Sequence, residues 1–585
     1  MVENEPTMGK EPKHLPGISA NGKPAIGSKY SARTKRVRQK PLAYRLILAV
    51  VAAALLIAGA LAYFSFPSHT SSVQTPKTTR VGKGQPKKNG RKKSQSSALN
   101  RVFNGKYGME SEWIIQQNEL PGTTAWNITG PQTPTGIMGY ANHVQATDGQ
   151  TVTLYVSTQA SSFHVDAFRM GYYQGKGGRL VWKSSETTGN VQPSCPLATG
   201  INMIQCNWSP SLSFTITSSW PQGQYLLKLI GSGGQQSYVP LTIWNPDSHA
   251  AYVIMEGVIT QQVFNPFGGY DLYQGATPCA PNHYPCSSRS RVVSFDRPYA
   301  YGNGAASYLS LVYPLTRFAE QHGLDVTYWT DLTLAEHGNL LTNHKVLIST
   351  GHDEEWDLQM RQATVEAAAK GVNLIFFGAS PILRKVRLQP SPIGQDMQVV
   401  NYRNPTKDPL YGVDNARVTQ NWWGQPPANL PASTLVGARY IGYNNYANFP
   451  LVVSDASSWF FTGTGLANGA KVPGVLGTDF QAYDPTRANN PPGVQILAHS
   501  PVTVELHPNR KYADTTYYTM PTSHAGVFQS GANTWIPSLA GCPSSAPHCS
   551  GYYIRIMTDN LLKLFGEGPA GLTQPSVSNW HQFYG

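Results

Sequence analysis

The sequence predicts three parts in series: a transmembrane helix, a β-sandwich-like domain, and an α/β domain built on a parallel sheet with β-rich C-terminal decoration. Three observations carry this. Leu46 to Phe66 (LILAVVAAALLIAGALAYFSF) is 21 residues without a charge. Residues 101–247 contain short runs of alternating polarity. From residue 248 onward, apolar strands alternate with helical segments.

Residues 1–45 are basic, polar and punctuated by Pro and Gly, a composition that does not fold into a core. The uncharged run that follows is long enough to cross a bilayer of about 30 Å. Arg33, Lys35, Arg36, Arg38, Lys40 and Arg45 precede it, against Lys77 and Arg80 after it. That asymmetry orients the N-terminus to the cytoplasm. The competing reading is a cleaved signal peptide, for which Ala60-Leu61-Ala62 supplies a small-x-small site. The anchor reading makes the lipid bilayer a partner through residues 46–66. It makes the chain a single-pass membrane protein whose large domain lies outside the cytoplasm. Residues 67–100 contain no acid and read as a basic flexible linker.

Charge is distributed unevenly. Of the 45 Lys and Arg, 18 fall in residues 1–100, together with only three of the 32 Asp and Glu, so the rest of the chain carries a net charge of −2. A folded domain that binds nucleic acid needs its own basic face, and nucleic acid is not an expected partner. All six cysteines follow the apolar run: Cys195 and Cys206, Cys279 and Cys286, Cys542 and Cys549. Three close pairs read as loop-closing disulfides in an oxidising compartment, although six cysteines permit 15 pairings.

In residues 101–247, Thr151–Ser157 (TVTLYVS), Phe163–Phe168 (FHVDAF) and Leu212–Ile216 alternate, with Gly and Pro between them. This favours an antiparallel sandwich. His143 and His164 sit in such β segments and read as structural. Beyond 248, strands are expected at 251–255, 325–329, 345–349 and 372–377. Helices are expected at 308–322, ending at Gly323, and at 357–370, ending at Gly371. Strands joined by helices of this length imply a parallel sheet with right-handed crossovers.

Ligands of such a sheet bind beyond the carboxyl ends of the strands. Two segments fall there: 256–273 (EGVITQQVFNPFGGYDLY) and Gly351-His352-Asp353-Glu354-Glu355-Trp356. The second places an imidazole and three carboxylates between a buried strand and a helix. Helix capping accounts for acids at such a place, Asp353, Glu355 and Asp357 among them. It does not account for His352. No Gly-x-Ser-x-Gly elbow, P-loop or His-Glu-x-x-His is present.

The block Asn373–Ser380 (NLIFFGAS) behind GHDEEW resembles the large-subunit family of N,N-dimethylformamidase. So do Arg169-Met170-Gly171-Tyr172-Tyr173, Gly268-Gly269-Tyr270-Asp271-Leu272-Tyr273 and Ala525-Gly526-Val527-Phe528. The resemblance covers most of 135–565. It implies a sandwich-like domain followed by a glutamine-amidotransferase-like α/β domain, and an amidohydrolase acting on a small amide. It also implies a mononuclear iron held by two tyrosines and one glutamate, with Glu354 as the carboxylate ligand, Tyr273 as one tyrosine, and His352 beside them to move a proton. The family's other tyrosine falls within Thr260–Asn265, where this sequence has Phe264, so Tyr270 or Tyr252 is the substitute on offer. Ser380 stands where the resemblance leads one to expect an asparagine of the site. Hard oxygen ligands suit ferric iron, which would polarise the amide carbonyl. The alternative is a non-catalytic surface protein that binds glycan or another cell-envelope polymer with its Tyr and Trp side chains on the same scaffold.

Overall fold

The computed structural model describes residues 101–585 apart from 131–135, 276–285, 506 and 543–547. The architecture is mixed: a β-rich part, and an α/β part around a seven-stranded sheet.

The β-rich part contains two facing antiparallel assemblies. One orders Leu212–Thr215, Thr151–Thr158 and Ile137–Ala141. The other orders Gln145–Ala146, Gln236–Ile243, Gly223–Gly231, Ser162–Met170 and Gly178–Lys183, with only the Gln145–Ala146 pairing parallel. Alternate residues point to opposite faces of a strand. Val152, Leu154 and Val156 therefore meet Phe163, Val165 and Ala167 in one core. The other assembly is covered on its second face too. There Phe168, Met170 and Leu226 pack against Ala305, Tyr308 and Val312 of the α/β part. Burial on both faces makes Gly223–Gly231 nearly continuously buried, Gln224 and Lys228 included.

The sheet strands of the α/β part are β1 (Tyr252–Glu256), β2 (Val326–Thr330), β3 (Val346–Thr350), β4 (Asn373–Phe377), β5 (Gln495–Pro501), β6 (Tyr512–Thr519) and β7 (Gly526–Gln529). Their order is β2-β1-β3-β4-β7-β6-β5. The first five run parallel, and β6 and β5 extend the sheet antiparallel. The period-2 rule splits the apolar strands between two cores. Tyr252, Ile254, Ile348, Ile375 and Phe377 face one, while Val253, Met255, Leu347, Leu374 and Phe376 face the other. The helix after β3, Leu358–Ala369, is capped by Asp357, whose carboxylate accepts from Met360 N at 2.8 Å. The helix expected at 308–322 is broken into Tyr308–Leu311 and Tyr313–Gln321. Pro314 has no N–H to offer an ongoing helix and is tolerated only in a first turn.

An Arg169–Glu320 pair ties the two parts together. Arg169 Nη2 lies 2.6 Å from Glu320 Oε1, and both side chains are fully buried. Arg169 also donates to Glu320 Oε2 at 3.2 Å, to Tyr173 Oη at 2.8 Å and to the Gln222 carbonyl at 2.8 Å. Disulfides join Cys195 to Cys206 and Cys542 to Cys549, and Cys286 is disulfide-bonded as well. Cys279 lies outside the described residues.

The expected transmembrane helix and single-pass membrane location are corrected here. Among the described residues no helix is long and apolar enough to cross a membrane. The longest, Ser550–Glu567, has 18 residues and carries Arg555, Asp559, Lys563 and Glu567. Residues 46–66, the expected bilayer contact, lie outside the described residues, as do the expected basic tail and linker.

Candidate functional site

The carboxyl ends of β1, β3 and β4 open onto a cleft of about 840 Å³. The loops after β3 and β4 touch: a Cβ on Gly378 would lie 1.6 Å from the Gly351 carbonyl oxygen. Only glycine permits that approach. It sets His352–Glu354 beside Ala379 and Ser380. The Thr260 hydroxyl, in the first turn of the helix after β1, fixes the β3 loop from the other side by accepting from Glu354 N at 2.9 Å and Glu355 N at 3.2 Å.

Three of the residues singled out in the sequence converge. Tyr273 Oη donates to Glu354 Oε2 at 2.8 Å and meets Glu355 Oε1 at 2.9 Å. His352 Nε2 lies 3.2 Å from Glu354 Oε2. Ser380 lines the same cleft, but its hydroxyl donates to the Ala379 carbonyl at 2.6 Å. Tyr270 is not among the lining residues. It is positioned through its carbonyl, which accepts from Arg297 Nη1 at 2.8 Å. Tyr252 is a core residue whose hydroxyl donates to the Leu562 carbonyl.

Capping explains only Asp357. Asp353 accepts instead from Ser349 Oγ at 2.7 Å, and Glu355 faces Tyr273.

Several site residues carried no signal in the sequence. Asp479 Oδ2 lies 3.4 Å from His352 Nε2, so the imidazole sits between two carboxylates. Asp479 is held in turn by Tyr440 Oη at 3.1 Å and Asn533 Nδ2 at 2.9 Å. Asn533 Oδ1 also accepts from Ala379 N at 2.6 Å, which links this group to the β4 loop. Arg384 Nε pairs with Glu354 Oε1 at 2.7 Å. Arg403 lies 4.1 Å over the Tyr273 ring and donates to Asn421 Oδ1 at 2.9 Å. Ser380 (φ 61°) and Thr478 (φ 65°) line the cleft in left-handed backbone. Non-glycine residues hold that conformation only when the surrounding structure imposes it, a condition concentrated at functional sites. Only an alignment of relatives, or the fold itself, could have pointed to these positions.

The electrostatics follow from burial and pairing. Burial opposes ionisation of Glu354, but Arg384 and then His352 outweigh it and hold its carboxyl down to about 2. Burial likewise opposes a charged His352, yet the hydrogen bond to Glu354 and the charge of Asp479 raise it to about 9. Burial, then the neighbouring Glu354 charge, pushes Glu355 up to about 8. Burial, then Glu354 and Glu355, pushes the Tyr273 phenol well above its ordinary value. At neutral pH the site therefore holds an ionised Glu354, a protonated imidazole and a neutral phenol.

These residues do not fit an iron held by two tyrosines and a glutamate. Phe264, stacked 4.2 Å from the Tyr273 ring, brings no donor atom. Glu354 has one oxygen committed to Arg384 and the other to Tyr273 and His352. Among the described residues no group of three His, Cys, Asp or Glu is placed to hold a metal ion.

No curated protein matches the chain. Among solved structures, the Bacteroides ovatus mixed-linkage glucan utilization locus protein SGBP-B, in complex with a mixed-linkage heptasaccharide, is 14% identical with a TM-score of 0.10. The match covers 23% of this chain and 25% of that one. The family model described as "N,N-dimethylformamidase beta subunit-like, C-terminal" matches residues 164–550, which begins within the strand Ser162–Met170, leaves out the β-rich strands before it, and takes in every residue of the cleft described above. With its sheet, its cleft and that match together, the chain belongs to the N,N-dimethylformamidase beta subunit-like family.

Proposed function

We propose that the protein is a hydrolase of amide-type C–N bonds. One observation carries the reading: His352, protonated at neutral pH, lies between Glu354 and Asp479 in an open cleft at the carboxyl end of a parallel sheet. An imidazolium held this way is a proton donor for a leaving amine. In this scheme Asp479 takes a proton from water as the water oxygen attacks the carbonyl carbon. Arg403 steadies the charge that develops on the carbonyl oxygen. His352 then gives its proton to the amide nitrogen, the C–N bond breaks, and the proton on Asp479 returns to His352. The products are a carboxylic acid and an amine. Glu354 acts as a positioning residue, fixed by Arg384 and Tyr273. The disulfides support work in an oxidising compartment outside the cytoplasm.

A second reading, binding of a cell-envelope polymer on the same scaffold, draws on Trp422, Tyr440 and Tyr443 along the cleft, because aromatic faces pack well against apolar sugar faces. The test is amine release from a panel of small amides by the full chain, beside His352→Gln and Asp479→Asn. Each substitution is expected to lower kcat by about 10²–10⁴-fold. Turnover unchanged in both variants, or no amine release from any amide, would sink the hydrolase reading.

A further inference from the structure

A second cavity of about 350 Å³ adjoins the cleft, and Trp422 and Tyr440 line both. Its wall carries three guanidinium groups, Arg439, Arg487 and Arg510, and no carboxylate. One acid, Asp484, reaches two of them: its Oδ2 lies 3.0 Å from Arg439 Nε and 3.2 Å from Arg487 Nε. Both contacts use Nε, which leaves the terminal nitrogens of each group for another acceptor. Arg510 donates from Nη1 to the Ile441 carbonyl, a neutral partner. Three guanidinium groups against one carboxylate leave the cavity positively charged. Burial, then the charge of Arg439, holds Arg510 below its ordinary value, as expected where negative charge is in short supply.

Trp422 stands between the two spaces. Arg384, the partner of Glu354, lies 5.4 Å over its ring. A ligand that passes over Trp422 would place one end beside His352 and the other among the three arginines. Guanidinium forks match the planar geometry of a carboxylate and bind it in pairs of parallel hydrogen bonds.

We propose that this cavity is an anion-binding annexe of the cleft, and that the substrate is an amide bearing a carboxylate held by Arg439, Arg487 and Arg510. The substrate half of this statement rests on the hydrolase reading, whereas the anion-binding half does not.

The experiment is calorimetric titration of the full chain with N-formylphenylalanine and with its neutral carboxamide, which differ only in the anionic group. The acid is expected to bind at least tenfold more tightly. Arg487→Gln, at an exposed position, and Arg510→Gln should each erase most of that preference, and His352→Gln should leave it intact. Equal affinity for the two ligands, a preference that survives both arginine substitutions, or no binding of either ligand overturns the proposal. An acid preference without amine release upholds the annexe and refutes the hydrolase. Amine release from neutral amides without an acid preference does the reverse.

Discussion

Replacing Arg169 with Met tests whether the buried strut between the β-rich part and the α/β sheet has the weight its geometry assigns it. The guanidinium makes two contacts with Glu320, at 2.6 and 3.2 Å, and both side chains are fully buried. Removing one partner of such a pair leaves an uncompensated buried charge, which costs about 3–5 kcal/mol. Tyr328 Oη still donates to Glu320 in the variant and offsets part of the loss, so the lower half of that range is expected. Removing both charges, as Arg169→Met with Glu320→Leu, should restore all but about 1–2 kcal/mol, because apolar replacements of buried ion pairs are often near neutral. The coupling between the two sites is then about 2 kcal/mol or more. Urea unfolding followed by tryptophan fluorescence, across wild type, both single variants and the double variant, supplies the four corners of the cycle. A single-variant loss below about 1 kcal/mol, or additive losses, would refute the claim that this pair is closed off from water and jointly required.

Gly378→Ala should cost about 3 kcal/mol or more and impair amide turnover, since the added carbon meets the Gly351 carbonyl at 1.6 Å and one site loop must move; thermal melting beside an activity assay checks both. Asp357→Ala removes the side-chain cap of Leu358–Ala369 and should cost about 1 kcal/mol in a melt. Glu256, at the end of β1, is 2% exposed, and burial pushes it up to about 7. Its folded value lies above its unfolded value, so its contribution is favourable at low pH and is lost as pH rises through 7. Glu256→Gln should therefore be close to neutral at pH 4 and more stable than wild type by up to about 3 kcal/mol at pH 8; unfolding curves at the two pH values that show a pH-independent difference would contradict this.

Four of the seven sheet strands, β1 to β4, were legible because they are apolar on both faces, whereas β5, β6 and β7 were read only as decoration. Ile254, Ile348 and Ile375 point one way and Met255, Leu347 and Phe376 the other, and a run without alternation between Gly-ended helices has few other readings. The broken helix at Val312 was written in Pro314, which a reading based on periodicity alone passed over. His352 and Glu354 were legible because a short polar segment between a buried strand and a helix lies at the mouth of such a sheet. Asp357 was read correctly as a cap, but Asp353 and Glu355 were misassigned, since a capping carboxylate and a buried one look alike in a sequence and differ only in what they meet in space. Asp479, Asn533, Arg384 and Arg403 were not legible. They arrive from separate loops, and nothing in the residues near them marks Asp479 off from the other acids of the chain.

That scattering has a consequence for the newly made chain. The cleft takes Phe264 and Tyr273 from behind β1, His352 and Glu354 from behind β3, Arg384 from behind β4, and then Asp479 and its tether Asn533 from far downstream. Strand β7, which pairs with β4 in the middle of the sheet, also comes late. At synthesis rates of about 5–20 residues per second, Asn533 follows Glu354 by roughly 10–40 s. Throughout that interval the parallel core lacks its central neighbour, and the edge of β4 stands open to other strands. The pairing of His352 with Asp479 is among the last things the chain assembles, so a truncated or stalled product would have the imidazole beside Glu354 without its second carboxylate.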